Sequence, residues 1–268
     1  MFRTGHRYWN FYIFCMLVIM MIAGCGFARK APVPHTSSTD SPSLTSVTSF
    51  RSSSTSSAPQ FISASHDGMA ILVNKQHALP DEYEPDDLVD PKVRFIFREK
   101  SEKRLMRREA ARALERMFAG AEKDGIYLAG VSAYRSHAAQ TWIYRQYVKK
   151  HGKEQAMSYS AEPGHSEHKT GLAIDVSGSD GKCAVQDCFA GSAEAEWIAR
   201  HSPEYGFILR YPKGKEAITG YQYEPWHLRY VGVKRAAEMA ERKLTLEEYV
   251  YETTPVLSGK ERSMSQLK

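Results

Sequence analysis

Long apolar runs are scarce in this 268-residue chain. The strongest, Phe11 to Ile22, is shorter than the ~20 residues that cross a bilayer. A strong charge of one sign is also missing. The formal net charge is +5, with 25% of residues charged. That mild basicity suits an anionic wall or membrane surface, though most proteins with such a balance bind neither specifically. No nucleic-acid partner is expected from it. No internal repeat is visible, which argues against a solenoid. Cysteine is rare, with four in all. The helical His-Glu-x-x-His pattern of many metal sites is absent, so any such site must be assembled from two distant segments.

What is present begins with a targeting segment. Arg3, His6 and Arg7 precede the apolar run, which ends in Ile22-Ala23-Gly24-Cys25. This resembles a bacterial lipobox, in which the small residues admit a peptidase and the thiol of Cys25 takes the lipid. Diacylglyceryl plus a further chain meets the need for more than one acyl chain in stable anchoring. An uncleaved signal anchor and simple secretion are the alternatives. Removing residues 1–24 takes away Arg3 and Arg7 and leaves +3. Residues 31–60 follow, of which 20 are Ser, Thr or Pro. Such a segment has too little apolar surface to offset ordering entropy and reads as a disordered stalk. The expected division is a signal peptide over 1–24, an anchor and stalk over 25–68, a folded domain over 69–252 and a flexible tail over 253–268.

Ordinary globular composition, 42% apolar, fits one sizeable domain. Ala70 to Lys75 and Val93 to Phe97 read as short extended pieces. A helix is predicted over about 101–121, capped by Ser101, with Met106, Ala110, Ala113, Leu114, Met117, Phe118 and Ala121 as its apolar stripe. Ile126 to Tyr134 reads as a strand that delivers Arg135. Ser136 then caps a second helix running to about Lys150. A short helix over 193–201 turns Trp197 and Ile198 inward, and a strand follows over 207–211. Helices near 236–243 and 246–249 close the domain.

The chemistry concentrates in two stretches. Ser166-Glu167-His168-Lys169-Thr170-Gly171-Leu172-Ala173-Ile174-Asp175-Val176 offers an imidazole and a carboxylate seven residues apart. Glu224-Pro225-Trp226-His227 offers a carboxylate and an imidazole three apart. Two His and one Asp suit a catalytic zinc, which keeps its fourth position for water. Glu224 is then free to act as a base. Strand alternation sends Leu172, Ile174 and Val176 to a core and leaves Asp175 on the other face beside small Ala173. Trp226, Leu228 and Tyr230 alternate in the same way with His227 and Arg229. Each half alone is a common chance pattern, and a packing role is the default for an isolated His. Among the remaining histidines, His165 is near enough to support the site. Arg135, at a strand end before a helix, suits a carboxylate through its planar fork. On spacing alone a surface ion pair is the default reading of any single Arg.

The combination resembles the VanY-type D-alanyl-D-alanine carboxypeptidases, a family of bacterial zinc peptidases. Leu72-Val73-Asn74-Lys75 with Leu79-Pro80, Tyr83, Pro85 and Leu88 resembles the family's leading segment. Ser132-Ala133-Tyr134-Arg135-Ser136 with Gln140 resembles its Tyr-Arg-Ser-x-x-x-Gln element. Tyr205-Gly206-Phe207 and Arg229-Tyr230-Val231-Gly232 fit its later strands. The likeness covers about residues 70–245. It implies an α+β domain with a small antiparallel sheet carrying the site and helices packed against it. It implies one Zn2+ per chain held by His168, Asp175 and His227, with Glu224 as base and then proton donor. Arg135 would hold the substrate or polarise its carbonyl, and Gln140 and Ser166 would help to place the peptide. The substrate would be the D-amino-acid end of a peptidoglycan stem peptide. The lipobox-like run adds the expectation of a lipid-anchored, extracytoplasmic protein, and a monomer is expected.

Ser166 is not a penicillin-type nucleophile on this reading, because its neighbour His168 is a metal ligand. Cys183 and Cys188 lie in a polar loop just after Asp175. In an oxidising exterior they can pair and pin that loop; free thiols are the alternative. Three functions stay open beside removal of a terminal D-alanine from D-Ala-D-Ala. They are L,D-carboxypeptidase action on tetrapeptides, endopeptidase action on cross-links, and non-catalytic wall binding. The last has no need of Glu224.

Overall fold

The computed structural model describes residues 62–63 and 68–254. The predicted signal segment, Cys25, most of the stalk and the tail past 254 lie outside the described residues. Strand β1 (Ile62–Ser63) pairs antiparallel with β2 (Ile71–Leu72). Ile62 lies opposite Leu72 and Ser63 opposite Ile71 in this pair. Strand β3 (Leu88–Val89) pairs antiparallel with β4 (Met106–Arg107). Helix α1 spans Arg108–Lys123.

That start corrects the helix predicted from Ser101. A short 3-10 turn, Glu102–Arg104, is followed by extended backbone, and the side chain of Ser101 caps nothing. Tertiary pairing overrides the helical pattern here. Tyr134 N donates to Leu105 O and Arg107 N donates to Gly171 O, both at 2.9 Å. Met106 is still fully buried, but from a strand. The predicted stripe holds over the rest of α1, where Ala110, Ala113, Leu114, Met117 and Ala121 are fully buried.

Strand β5 (Leu128–Ser132) leads through Arg135 to helix α2 (His137–His151), where Ser136 Oγ accepts from Ala139 N. Helix α3 (Lys153–Tyr159) was not anticipated. It packs against α2 across Gly152, whose φ of 81° breaks the helix between them. Then come β6 (Ala173–Gly178), α4 (Ala193–His201), β7 (Phe207–Leu209), α5 (Glu216–Thr219), β8 (His227–Tyr230), α6 (Val233–Arg242) and α7 (Leu246–Thr253). Helix α7 runs past its predicted end at 249. It opens on a capping box between Thr245 and Glu248.

Strands β5, β6, β8 and β7 form one antiparallel sheet in that order. Ile174 and Val176 of β6, Leu172 just before it and Leu228 of β8 are fully buried in the main core. Each such side chain contributes about 1.5–3 kcal/mol by burial. Helix α1 covers this core, and Trp197 and Ile198 of α4 enter it, as the alternation and stripe arguments predict. A second cluster packs α6 and α7 against Leu72 and Ile208. Together the elements make an α+β domain, and its sheet face opposite the main core carries Asp175 and His227.

Two glycines permit close approaches in this frame. At Gly130 a Cβ would fall 2.6 Å from the Phe95 ring, so the ring lies directly on the backbone of β5. Gly171 sits at φ +67° just before β6, and a Cβ there would lie 2.8 Å from Leu88 Cδ2. Gly171→Ala is therefore expected to destabilise the domain by about 1–3 kcal/mol. The check is a fall in the urea midpoint at unchanged m-value.

Candidate metal centre

Register brings the two halves together. Asp175 and His227 are directly opposed across the β6–β8 pair. His168 reaches them from a 3-10 turn, Glu167–Thr170, which ends at Gly171 in the left-handed region. Thr170 locks the turn, its hydroxyl donating to Glu167 O at 2.6 Å and accepting from Leu172 N at 3.0 Å. One ligand atom from each of His168, Asp175 and His227 lies within 4.8 Å of the others. All three residues are buried. The two imidazoles meet edge to face, 5.0 Å between centroids.

The orientation of each group is set by its outer contacts. His168 Nδ1 lies 2.7 Å from Ala133 O. A carbonyl only accepts, so Nδ1 carries the proton and Nε2 faces Asp175 Oδ2 at 3.4 Å. His227 Nδ1 lies 3.2 Å from Asp175 Oδ1 and 3.6 Å from Glu224 Oε2. Despite these approaches, Asp175 Oδ1 is a buried atom without a hydrogen-bond partner. Lone-pair donors that converge without hydrogen-bond geometry fit a shared cation, and an N, N, O set suits Zn2+. The residues present therefore fit the expected ion.

Electrostatics divide the groups. Burial, reinforced by Arg135, pushes His168 down to about 3. Burial alone would also lower His227, but Asp175 and Glu167 beside it raise it to about 9. Burial raises Glu224 to about 7 against the opposing pull of His227. The Glu224–His227 turn is closed by His227 N donating to Glu224 O at 3.2 Å, and Glu224 N donates to Tyr211 O at 3.1 Å.

Arg135 lies in the same cleft of about 420 Å³, whose walls include Trp142, Tyr147, Val185, Tyr211 and Tyr221. Its partners are neutral: Nη1 donates to Gln140 Oε1 at 2.9 Å and Nη2 to Ser132 Oγ at 3.3 Å. Among the described residues it makes no carboxylate ion pair, so the surface-pair account does not apply. Its Nε is buried without a partner. Gln140 is itself held, its amide donating to Ser160 Oγ and Ala161 O. It therefore positions Arg135 from behind. Ser166 lines the cleft beside His168, and His165 also lines it, with Nδ1 2.8 Å from Asn74 O.

Cys183 and Cys188 are joined by a disulfide, with Cα atoms 5.5 Å apart. The clip spans Val185, whose φ of +55° is costly for a β-branched residue. It holds Val185 at the cleft wall.

Sequence reasoning passed over the groups behind the ligands. Glu167, Arg210, Arg229 and Lys169 are all buried. Lys169 Nζ donates to Pro80 O and Asp81 O. Arg210 pairs with Glu167 and Glu247, and Arg229 pairs with Glu167. Burial alone would raise the Glu167 carboxyl, but the two guanidiniums hold it well below the usual range. Charged residues are seldom this buried unless paired. The one available signal was that Arg229 alternates onto the same face as His227.

Three convergent ligand-type side chains with a further carboxylate beside them, on a small antiparallel sheet, have the makeup of a hydrolytic metal site. The comparisons give the particular family. The family model for VanY, D-alanyl-D-alanine carboxypeptidase, matches residues 103–233. The Bacillus subtilis (strain 168) protein YodJ, provisionally named a carboxypeptidase, is 50% identical over 183 residues, 68% of this chain and 67% of YodJ. The solved structure of LdcB, an LD-carboxypeptidase studied for peptidoglycan recognition, is 50% identical with a TM-score of 0.65. It covers 68% of this chain and 85% of that one. A Zn(II) complex of a variant of VanY, a vancomycin resistance D,D-pentapeptidase, is 32% identical with a TM-score of 0.56, over 68% and 98% of the two chains. The chain belongs to the VanY D-alanyl-D-alanine carboxypeptidase family.

Proposed function

We propose that this protein is a zinc-dependent carboxypeptidase that removes the C-terminal D-alanine of peptidoglycan stem peptides. The observation that carries this is the grouping of His168, Asp175 and His227 within 4.8 Å, with Glu224 and Arg135 in the same cleft. Zn2+ held by the three ligands would bring the pKa of a water to about 7 and polarise the scissile carbonyl. Glu224, with a carboxyl at about 7, takes the proton of the attacking water and passes it to the leaving amine. Arg135 offers an unpartnered Nε and a guanidinium free of protein carboxylates, suited to the substrate's terminal carboxylate or carbonyl oxygen. Gln140 keeps that fork in place, and Ser166 helps to seat the peptide backbone. No acyl-enzyme is required.

Two scissile bonds compete. The expectation from the motifs is the D-Ala-D-Ala end of a pentapeptide. The higher identity to LdcB, 50% against 32% for the D,D-pentapeptidase, favours the L,D bond of a tetrapeptide. Incubating the protein with defined pentapeptide and tetrapeptide stems, and identifying products by mass, separates them. Loss of one D-Ala from the tetrapeptide alone is the L,D result, and loss from the pentapeptide alone the D,D result. Cleavage of neither, with zinc bound, would sink the carboxypeptidase reading in favour of an endopeptidase or a binding protein.

The lipobox-like run before Cys25 supports a lipid anchor that tethers the domain outside the membrane. The Cys183–Cys188 disulfide is in keeping with an oxidising exterior.

A further inference from the structure

We propose that Glu167 is a positioning residue for the metal ligand His227, selecting which ring nitrogen faces the metal; this rests on the zinc reading above. Glu167 Oε1 accepts from Arg210 Nε at 2.7 Å and from Arg229 Nη1 at 2.6 Å. Its other oxygen, Oε2, is buried and makes no hydrogen bond by strict geometry. The same holds for His227 Nε2. These two atoms face each other at 3.5 Å, the long limit of a hydrogen bond. An ionised carboxylate only accepts, so the proton of the neutral ring belongs on Nε2. Nδ1 is then left with its lone pair toward Asp175 Oδ1 and Glu224 Oε2, where the ligand atoms converge.

His168 is arranged the other way. Ala133 O holds its Nδ1, and Nε2 faces Asp175. The two histidines thus present opposite ring nitrogens, each fixed by one outer acceptor.

Glu167 cannot turn away from this task. Arg229 is tied to Ile71 O at 2.7 Å and Met69 O at 3.2 Å. Arg210 makes a two-bond fork with Glu247, at 2.9 and 2.7 Å, and Asn74 Nδ2 donates to Glu247 Oε1 at 3.1 Å. Asn74 and Glu247 lie outside the matched span of 103–233. The support for His227 therefore reaches into β2 and its following turn on one side and α7 on the other.

The test uses the full chain with 15N-labelled imidazoles, loaded with zinc and, separately, with cadmium-113. The expected spectrum shows His227 bound through Nδ1 with its proton on Nε2, and His168 bound through Nε2 with its proton on Nδ1. Binding of His227 through Nε2 would overturn the proposal. Glu167→Gln adds a second readout, zinc affinity by chelator competition, with folding followed by thermal unfolding of the zinc-free protein. A loss of about 10–100-fold in affinity is expected. A folded variant with affinity within about twofold of the parent would leave Glu167 a purely structural residue and overturn the proposal. The spectrum of the unmodified chain decides the matter even if the variant does not fold. A parent chain that binds neither metal would overturn the zinc reading along with it.

Discussion

Glu224→Gln is expected to keep zinc bound and to lower kcat by ~10²–10⁴-fold, the usual contribution of a positioned general base. Gln keeps the size of the side chain and loses the basic oxygen. The turn that carries it is closed by backbone hydrogen bonds, Glu224 N to Tyr211 O and His227 N to Glu224 O, which the substitution leaves alone. Glu224 is also not one of the three convergent ligands, so metal content should stay near one per chain. The sign of the pH dependence follows from burial. Burial raises the Glu224 carboxyl to about 7, and a carboxyl protonated below that pH cannot accept a proton. The parent enzyme should therefore gain kcat/KM as pH rises through about 7, and Glu224→Gln should lose that limb. Zinc content by atomic absorption together with a pH–rate profile checks both points. Residual kcat above about a tenth of the parent would remove Glu224 from its role.

Removal of the metal is expected to abolish hydrolysis, and zinc to restore it. The donors are a carboxylate and two imidazoles from different segments, and neither half alone makes a site. The pH dependence of affinity has a clear sign as well. Although burial opposes it, Asp175 and Glu167 hold a proton on His227 up to about 9. Zinc must displace that proton. Apparent affinity should then rise about tenfold per pH unit between pH 6 and 8, since one proton leaves for each metal bound. His168, already neutral by burial, adds nothing to this slope. Chelator competition at several pH values measures it. Full activity after exhaustive chelation, with no metal detected, would defeat the metal reading outright. The β-lactam response is a companion check, because a centre without a serine acyl-enzyme should be indifferent to such compounds.

Much of the site was legible because its signals are local. Alternation in Leu172 to Val176 and in Trp226 to Tyr230 placed Asp175 and His227 on the face away from the core, and the strands carry them so. Ser136 was read as a cap, and its hydroxyl caps α2. The helix predicted from Ser101 failed for an equally physical reason. A run of a few residues is too short for periodicity to separate a strand from a helix turn, and pairing of β4 with β3 decided the outcome. Helix α3 went unread because its Lys-Glu-Gln-Ala-Met-Ser-Tyr run buries only Ala156 among its described side chains, too little for a stripe.

By itself the sequence determined which chemistry was available: two imidazoles, a ligand carboxylate and a spare carboxylate at spacings that strands can present. Ligand type and strand alternation are properties of the residues and their immediate neighbours. Only the tertiary structure decided that Asp175 stands opposite His227, that Glu167 lies behind His227 between Arg210 and Arg229, and that Arg135 is held by Gln140 and Ser132 instead of a carboxylate. A charged residue in a sequence reads as solvated by default. Burying it at a site depends on partners that only long-range strand pairing and helix packing bring near.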